Sequence, residues 1–294
     1  IGVGQGLEAP PASQLMAHHV PVASRPFYFS LKQMGVQVGA VVASLSLPTI
    51  TLLVGWQVAL ALVVALLFLL VCCLAYPARR FPFARRMHIY KVSAGAPLHG
   101  LVSWFAVLSE DRGLLRLAMA AATFGATQVC MNTFLVTWMV AERGASLTVA
   151  GALAATAQGA GLVGRPLWGW VASRTGGSRR VLLWLGVCMS ISSVVLGTLG
   201  AGLSNGFLTV LAAAFGLSAS GWNGVFLSEV AAVRAPDRVA AATAAAMVPL
   251  LVGLILAPIS FAVVGHWRDL STGFTLLAGV ALTGTLLVFS MRWS

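Results

Sequence analysis

The sequence predicts an all-α, polytopic membrane protein, a bundle of helices built for lipid. Three observations carry that reading. Hydrophobic residues make up 59% of the chain and charged residues 9%, with a mean hydropathy of +0.93. A water-soluble fold has too little interior to hide that much apolar surface. Two stretches, 56–76 and 181–226, contain no charged side chain, and one helical bilayer crossing takes about 20 apolar residues. Finally, the cations sort to one side once helices are drawn through the apolar runs.

Nine helical segments follow in order: 1–17, 31–53, 56–76, 114–140, 148–172, 181–203, 207–232, 240–264 and 271–291. Backbone N–H and C=O groups find no water in hydrocarbon, so runs this long and apolar pair internally as helices. The first is partial, rich in Gly and Pro, and closes on "HHVPVASR". The second leads to the charge-free third, and the basic stretch 77–113 follows as a loop. The fourth is uncharged from 117 to 141. The fifth ends in the hinge "GRPLWGWVASRTGGSRR", where four arginines crowd among glycines. The charge-free run 181–226 breaks near 204–206 into the sixth and seventh. The eighth carries Pro249, Gly253 and Pro258, which closely packed membrane helices tolerate. The ninth closes the chain.

With the hinge at 173–180 on the cytoplasmic side, alternation puts 18–30, 77–113, 233–239 and the tail 292–294 there too. That side holds sixteen Lys and Arg; the other holds only Arg143 and Arg268. Such a bias orients a membrane protein. It places the C-terminus in the cytoplasm. A net charge of +11 would suggest nucleic acid in a soluble protein. No aromatic RNA-binding pattern or zinc-finger spacing accompanies it, so no nucleic-acid partner is expected.

Cys72, Cys73, Cys130 and Cys188 lie inside apolar runs with no C-x-x-C and read as small hydrophobes. His18 and His19 lack a third ligand, so no metal is expected. "GVGQG" at 2–6 lacks the strand-and-helix setting of a dinucleotide loop, and no P-loop, H-E-x-x-H or G-x-S-x-G appears. The expectation is a protein without cofactor that is not an enzyme. Ile1 opens the chain inside an apolar segment without an initiator Met, so a missing natural N-terminus is expected.

A weak repeat runs through the chain. "GLEAPPASQLMAHHVPVASR" leads into a helix with Gly35, Gly39 and Pro48, and "GWNGVFLSEVAAVRAPDR" into one with Pro249, Gly253 and Pro258. Arg25 and Arg238, which close the two stretches, are 213 residues apart. Repeats in membrane transporters form related halves around a central site.

On these residues the sequence resembles the major facilitator superfamily of secondary transporters. Its loop motif, G-x-x-x-D-R-x-G-x-[RK]-[RK], is matched in "GWVASRTGGSRR" by Gly169, Arg174, Gly176 and Arg179. Ser173 replaces the acid and Ser178 one basic residue. "GVGQGLEAPPAS" resembles the fourth helix, "RPFYFSLKQMGVQVGA" the start of the fifth, "GW" at 55–56 the turn into the sixth, and "SGWNGVFLSEVA" the tenth. The resemblance implies two six-helix halves with the first three and a half helices absent. Residues 1–76 are then the remainder of the N-terminal half, 77–113 the cytoplasmic central loop, and 114–294 the C-terminal half. It implies a monomeric permease moving a small solute, with a coupling proton, by alternating access. A non-transporting sensor or an inert truncated product keeping the fold is the alternative. Gly35 and Gly39 are followed by Ala40 where efflux members often carry Pro, which points away from drug/proton antiport.

Polar groups inside a membrane bundle face its interior or a water-filled cavity. Gln128 and Asn132 lie four apart on one helix face, flanked by Phe124 and Leu135. With Gln158, Asn223 and Gln37 (which shares a face with Gln33) they form a candidate solute site. Hydrogen bonding between helices is the alternative for each. Glu8, the one carboxylate well inside a span, carries a proton, meets a cationic substrate, or pairs with an arginine from absent helices. The resemblance implies a gating group of Gly169, Arg174, Gly176, Arg165 and Glu229, with Glu229 a partner for loop arginines such as Arg174. Gly169 would let helix ends approach, and Gly176 would allow a turn with positive φ. The arginines alternatively serve only as topology anchors.

The charge bias generates a test. In a cysteine-free background, a cysteine at Ser178 should be labelled only from the cytoplasm and one at Ser146 only from outside; reversed labelling would refute the orientation.

Overall fold

The computed structural model describes residues 2–80, 97–233 and 235–291. Among them the backbone forms ten α-helices and no strand. These are α1 (Gly2–His19), α2 (Arg25–Val54), α3 (Trp56–Arg80), α4 (Pro97–Glu110), α5 (Arg112–Arg143), α6 (Leu147–Arg174), α7 (Ser178–Leu199), α8 (Asn205–Val233), α9 (Val239–Trp267) and α10 (Leu270–Phe289). Short 3-10 turns stand at Val22–Ser24, Gly200–Gly202 and Pro236–Arg238. Seven of the helices, α3 and α5 to α10, are long and apolar enough to cross a membrane.

All nine expected helices are present, and the segment expected as the loop 77–113 holds a tenth. α3 runs on to Arg80, and α4 occupies 97–110. Its sequence, "PLHGLVSWFAVLSE", starts with Pro, which suits a first helical turn, and repeats apolar residues at helical spacing. Of the cations assigned to the cytoplasmic side, Arg85, Arg86, Lys91, Arg234 and Arg292 lie outside the described residues.

Local chemistry sets the helix ends. Asp111 is extended between α4 and α5, and its Oδ1 accepts from the amides of Gly113 and Leu114 at 2.7 and 3.2 Å. α5 stops at Gly144, left-handed at φ 62°, and Ala145 N donates back to Met139 O. Ser146 caps α6, and Asp269 caps α10. The Thr272 amide and hydroxyl, which bond to exposed Asp269, hold its carboxyl below the ordinary range.

The chain divides into two compact units, 1–35 with 101–294, and 36–100. In the smaller unit, α3 presents Leu60, Val64, Leu67 and Phe68 outward, a surface suited to lipid. In the larger unit α6 packs on α8, α7 on α10, and both α9 and α10 on α5, while α1 lies against α9. The core is aromatic, with Phe124, Trp138, Phe215, Trp222, Phe226 and Phe274 fully buried. α7 buries Val181, Leu182, Leu185, Met189 and Leu196, and α10 buries Phe274, Leu277, Ala281 and Val288. Each helix offers one apolar stripe to its neighbours, which a count of polar residues does not register.

α6 and α8 approach backbone to backbone. A Cβ on Gly164 would stand 2.6 Å from the Leu217 carbonyl oxygen, and one on Gly216 would collide with the Ala157 carbonyl. Trp168 Nε1 donates to the same Leu217 oxygen at 3.1 Å. Gly159, on the same helix, meets nothing within 4 Å.

The repeat is also visible in the backbone: α1–turn–α2 and α8–turn–α9 each join two long helices through one 3-10 turn. Burial follows the same 213-residue offset. Pro26, Phe29 and Ser30 are buried in α2, and Val239, Ala242 and Thr243 in α9.

Gly164→Ala is expected to lower the melting temperature in detergent by several degrees, because neither backbone can yield without separating. Gly159→Ala should leave it unchanged or raise it, since alanine is the better helix former. Equal effects would refute the close packing.

Candidate solute site and contacts at the helix ends

Midway along α5 and α8 a small polar network interrupts the apolar packing. Asn223 Nδ2 donates to Gln128 Oε1 at 3.2 Å, and Gln128 Nε2 donates to Ser220 Oγ at 3.4 Å. Phe124 and Trp222 meet edge to face beside it, with ring centroids 6.1 Å apart. The Trp222 indole N–H is buried without a hydrogen-bond partner among the described residues. Asn132, one turn beyond Gln128, is exposed.

Gln128 and Asn223 therefore come together, while Asn132 does not join them. Gln158 is half-buried on α6, and Gln37 belongs to the smaller unit. Ser220 was missed by sequence reasoning. Its signal was its position three residues before Asn223, which puts both on one helix face.

At the end of the bundle where α2 and α9 start, the charged residues pair within the chain. Glu8 Oε1 stands 2.5 Å from Lys32 Nζ, an ion pair linking α1 to α2. This supplies, from within the described residues, the cationic partner for which an arginine of other helices was considered. The Lys32 Nζ is closed off from solvent and has no hydrogen-bonded partner of good angle. Glu229 pairs with Arg179, Nε to Oε1 at 2.7 Å. Arg174, the partner suggested by sequence, instead lies over the Trp170 ring at 5.3 Å, a cation–π contact. The reason is the turn: Gly176, at φ +77°, reverses the chain so that Arg179, on the first turn of α7, faces α8. Ser178 is buried there, its Oγ donating to Ser228 Oγ at 3.4 Å. Exposed Ala235 is thus the better labelling position at this end.

The same end joins the two copies of the repeat. Arg25 donates to Ala231 O at 3.2 Å and to Ala17 O at 2.6 Å. Arg165, almost fully buried, donates to Gln33 O at 3.0 Å. His18 Nε2 lies 3.2 Å from Asp237 Oδ1. A Cβ on Gly169 would stand 2.5 Å from Ser30 Cβ and 2.7 Å from Pro26 O, and one on Gly224 would collide with Ser30 from the other side.

The opposite end is held differently. The Glu142 carboxylate accepts from the amides of Leu270 and Ser271 and from the Ser271 hydroxyl, and Trp138 Nε1 donates to Ser271 Oγ at 2.8 Å. Its neighbour Arg143 donates to the carbonyls of Gly200 and Ala201.

A family model described as Major Facilitator Superfamily matches residues 1–248. The chain belongs to that superfamily. Among solved structures, that of the E. coli fucose:proton symporter FucP is similar, with a TM-score of 0.69 at 14% identity. The match covers 97% of this chain and 73% of that one. At that identity the likeness speaks for the fold, which is the superfamily fold. No curated protein matches. Membership makes this a multi-pass membrane protein of a transporter family.

The two choices for Glu229 are separable. Glu229→Gln should cost about 1–3 kcal/mol of stability, because it strips the charge from a largely buried bond. In double-mutant cycles Glu229 should couple to Arg179 and be additive with Arg174. Coupling to Arg174 alone would refute the assignment.

Proposed function

We propose that the protein is a secondary transporter carrying a small polar solute across a bacterial inner membrane by alternating access, with its C-terminus in the cytoplasm. The observation that carries this reading is the Asn223–Gln128–Ser220 network. Amides and a hydroxyl at the middle of a membrane bundle serve a solute that can exchange hydrogen bonds with them. Helix α5 is uncharged from 117 to 141 and α8 from 205 to 228, so this wall suits a neutral solute. Asn132, exposed one turn away, extends the wall, and Gln158 is a further candidate.

The arginine bias supports the orientation. Arg25, Arg116, Arg165, Arg174, Arg179, Arg180 and Arg238 lie toward one end of the bundle, with Arg143 and Arg268 at the other. In that orientation the contacts of α1 and α2 with α6, α8 and α9 close the cytoplasmic side. The gate consists of Gly169 and Gly176 for backbone geometry and of Arg165 for attachment to α2, with Arg174 and the Arg179–Glu229 pair flanking the turn beside it. A transported proton is carried by Glu8, whose protonation would release Lys32. FucP, by its description a fucose:proton symporter, supports this pairing of solute and proton. The protein works as a monomer of two halves around one site.

Uptake into proteoliposomes, with the melting temperature of the same purified variants, tests the site. Asn132→Ala should weaken apparent solute affinity about tenfold with unchanged melting, because water replaces the lost partner. Gln128→Ala should lower both, since it also breaks the network. Lower stability with unchanged affinity in both variants would make these residues packing groups and refute the site.

A further inference from the structure

Ser30 is the tightest point in the contact between the two copies of the repeat. It lies on α2, wholly buried, between Gly169 of α6 and Gly224 of α8. Neither glycine has a side chain to offer, and the Ser30 hydroxyl makes no hydrogen bond among the described residues. Serine in a helix ordinarily disposes of its proton on the carbonyl four residues back. Ser173 and Ser190 do so here, at 3.0 and 2.8 Å. Ser30 does not.

The second copy of the repeat has the same feature. Thr243 stands 213 residues after Ser30, the offset that relates Arg25 to Arg238 and the buried residues of α2 to those of α9. Thr243 is also wholly buried, and its Oγ1 also lacks a partner among the described residues. Thr127 and Thr285, on neighbouring helices, both donate to the carbonyl four back, at 2.9 Å. Ser13 and Ser193 are also buried with hydroxyls that find no partner among the described residues. Of the four, only Ser30 and Thr243 are related by the repeat offset.

We infer that the Ser30 and Thr243 hydroxyls are a built-in bias against the cytoplasm-closed form, keeping the closed contact weak enough to reopen. This rests on the alternating-access reading above. In the closed form each hydroxyl is buried and unsatisfied, which is unfavourable. When the contact parts, water reaches both and the penalty vanishes. The close glycine packing favours closure, and the hydroxyls oppose it. A protein with alanine and valine at these positions would close more tightly and reopen less readily.

The test uses the full chain in lipid nanodiscs with nitroxides at exposed Val22 and Ala235 on the two turns, read by pulsed electron–electron distance measurement. A short distance reports the closed form and a long one the open form. Ser30→Ala and Thr243→Val should each raise the closed-to-open ratio by about fivefold or more, the lower end of what an unsatisfied buried group costs. Gly224→Ala, which drives a methyl into Ser30, should lower it. If the two hydroxyl deletions leave the ratio unchanged or lower it while Gly224→Ala still shifts it, the contact is real but the bias is refuted. A single distance in every variant, at acidic and at neutral pH, would overturn the alternating-access reading and this inference with it.

Discussion

How closely two helical backbones can approach is the constraint on which the rest of this structure depends. In lipid each helix already satisfies its own backbone hydrogen bonds, and the surrounding chains are as apolar as leucine. Lateral association then comes from contact quality. The α6–α8 pair achieves that contact where Gly164 and Gly216 let one helix rest on the other's carbonyl groups. Once these helices are fixed, Asn223 on α8 reaches Gln128 on α5, and Arg179 at the start of α7 reaches Glu229. A side chain at either glycine would separate the elements that hold both the polar network and the ion pair.

The two ends of the bundle follow different logic. At the arginine-rich end, bonds run from α1 and α2, or the turn between them, to helices later in the chain: Arg25 to Ala231, Arg165 to Gln33, His18 to Asp237. At the other end they run among α5, α7 and α10. Motion of the halves against one another would break the first set and leave the second intact.

Much of this was legible beforehand. Helices α5 to α10 followed from uninterrupted apolar runs, and the turn at 175–177 from its glycines and flanking charge. Gln128 and Asn223 stood out because an amide in an apolar helix needs a partner. Three things were hidden. α4 was masked by the basic composition of its surroundings, which outweighed a short amphipathic pattern. Arg174 and Arg179 are indistinguishable as charges, and only the reversal at Gly176 decides which one faces Glu229. The pairing of Glu8 with Lys32 depends on how α1 and α2 fold back at Val22–Ser24, a three-dimensional relation that spacing along a chain does not contain.

Glu142 and Arg143, adjacent at the end of α5, hold two different helices almost entirely by main-chain atoms: the amides of Leu270 and Ser271 on one side, the carbonyls of Gly200 and Ala201 on the other. Main-chain targets are present whatever residue occupies the position. The Ser271 hydroxyl apart, the segments these two side chains grip are therefore free to drift through evolution, while the pair itself is not. The loops at this end are free to diversify to meet different surroundings, with two neighbouring residues keeping the helices beneath them in register.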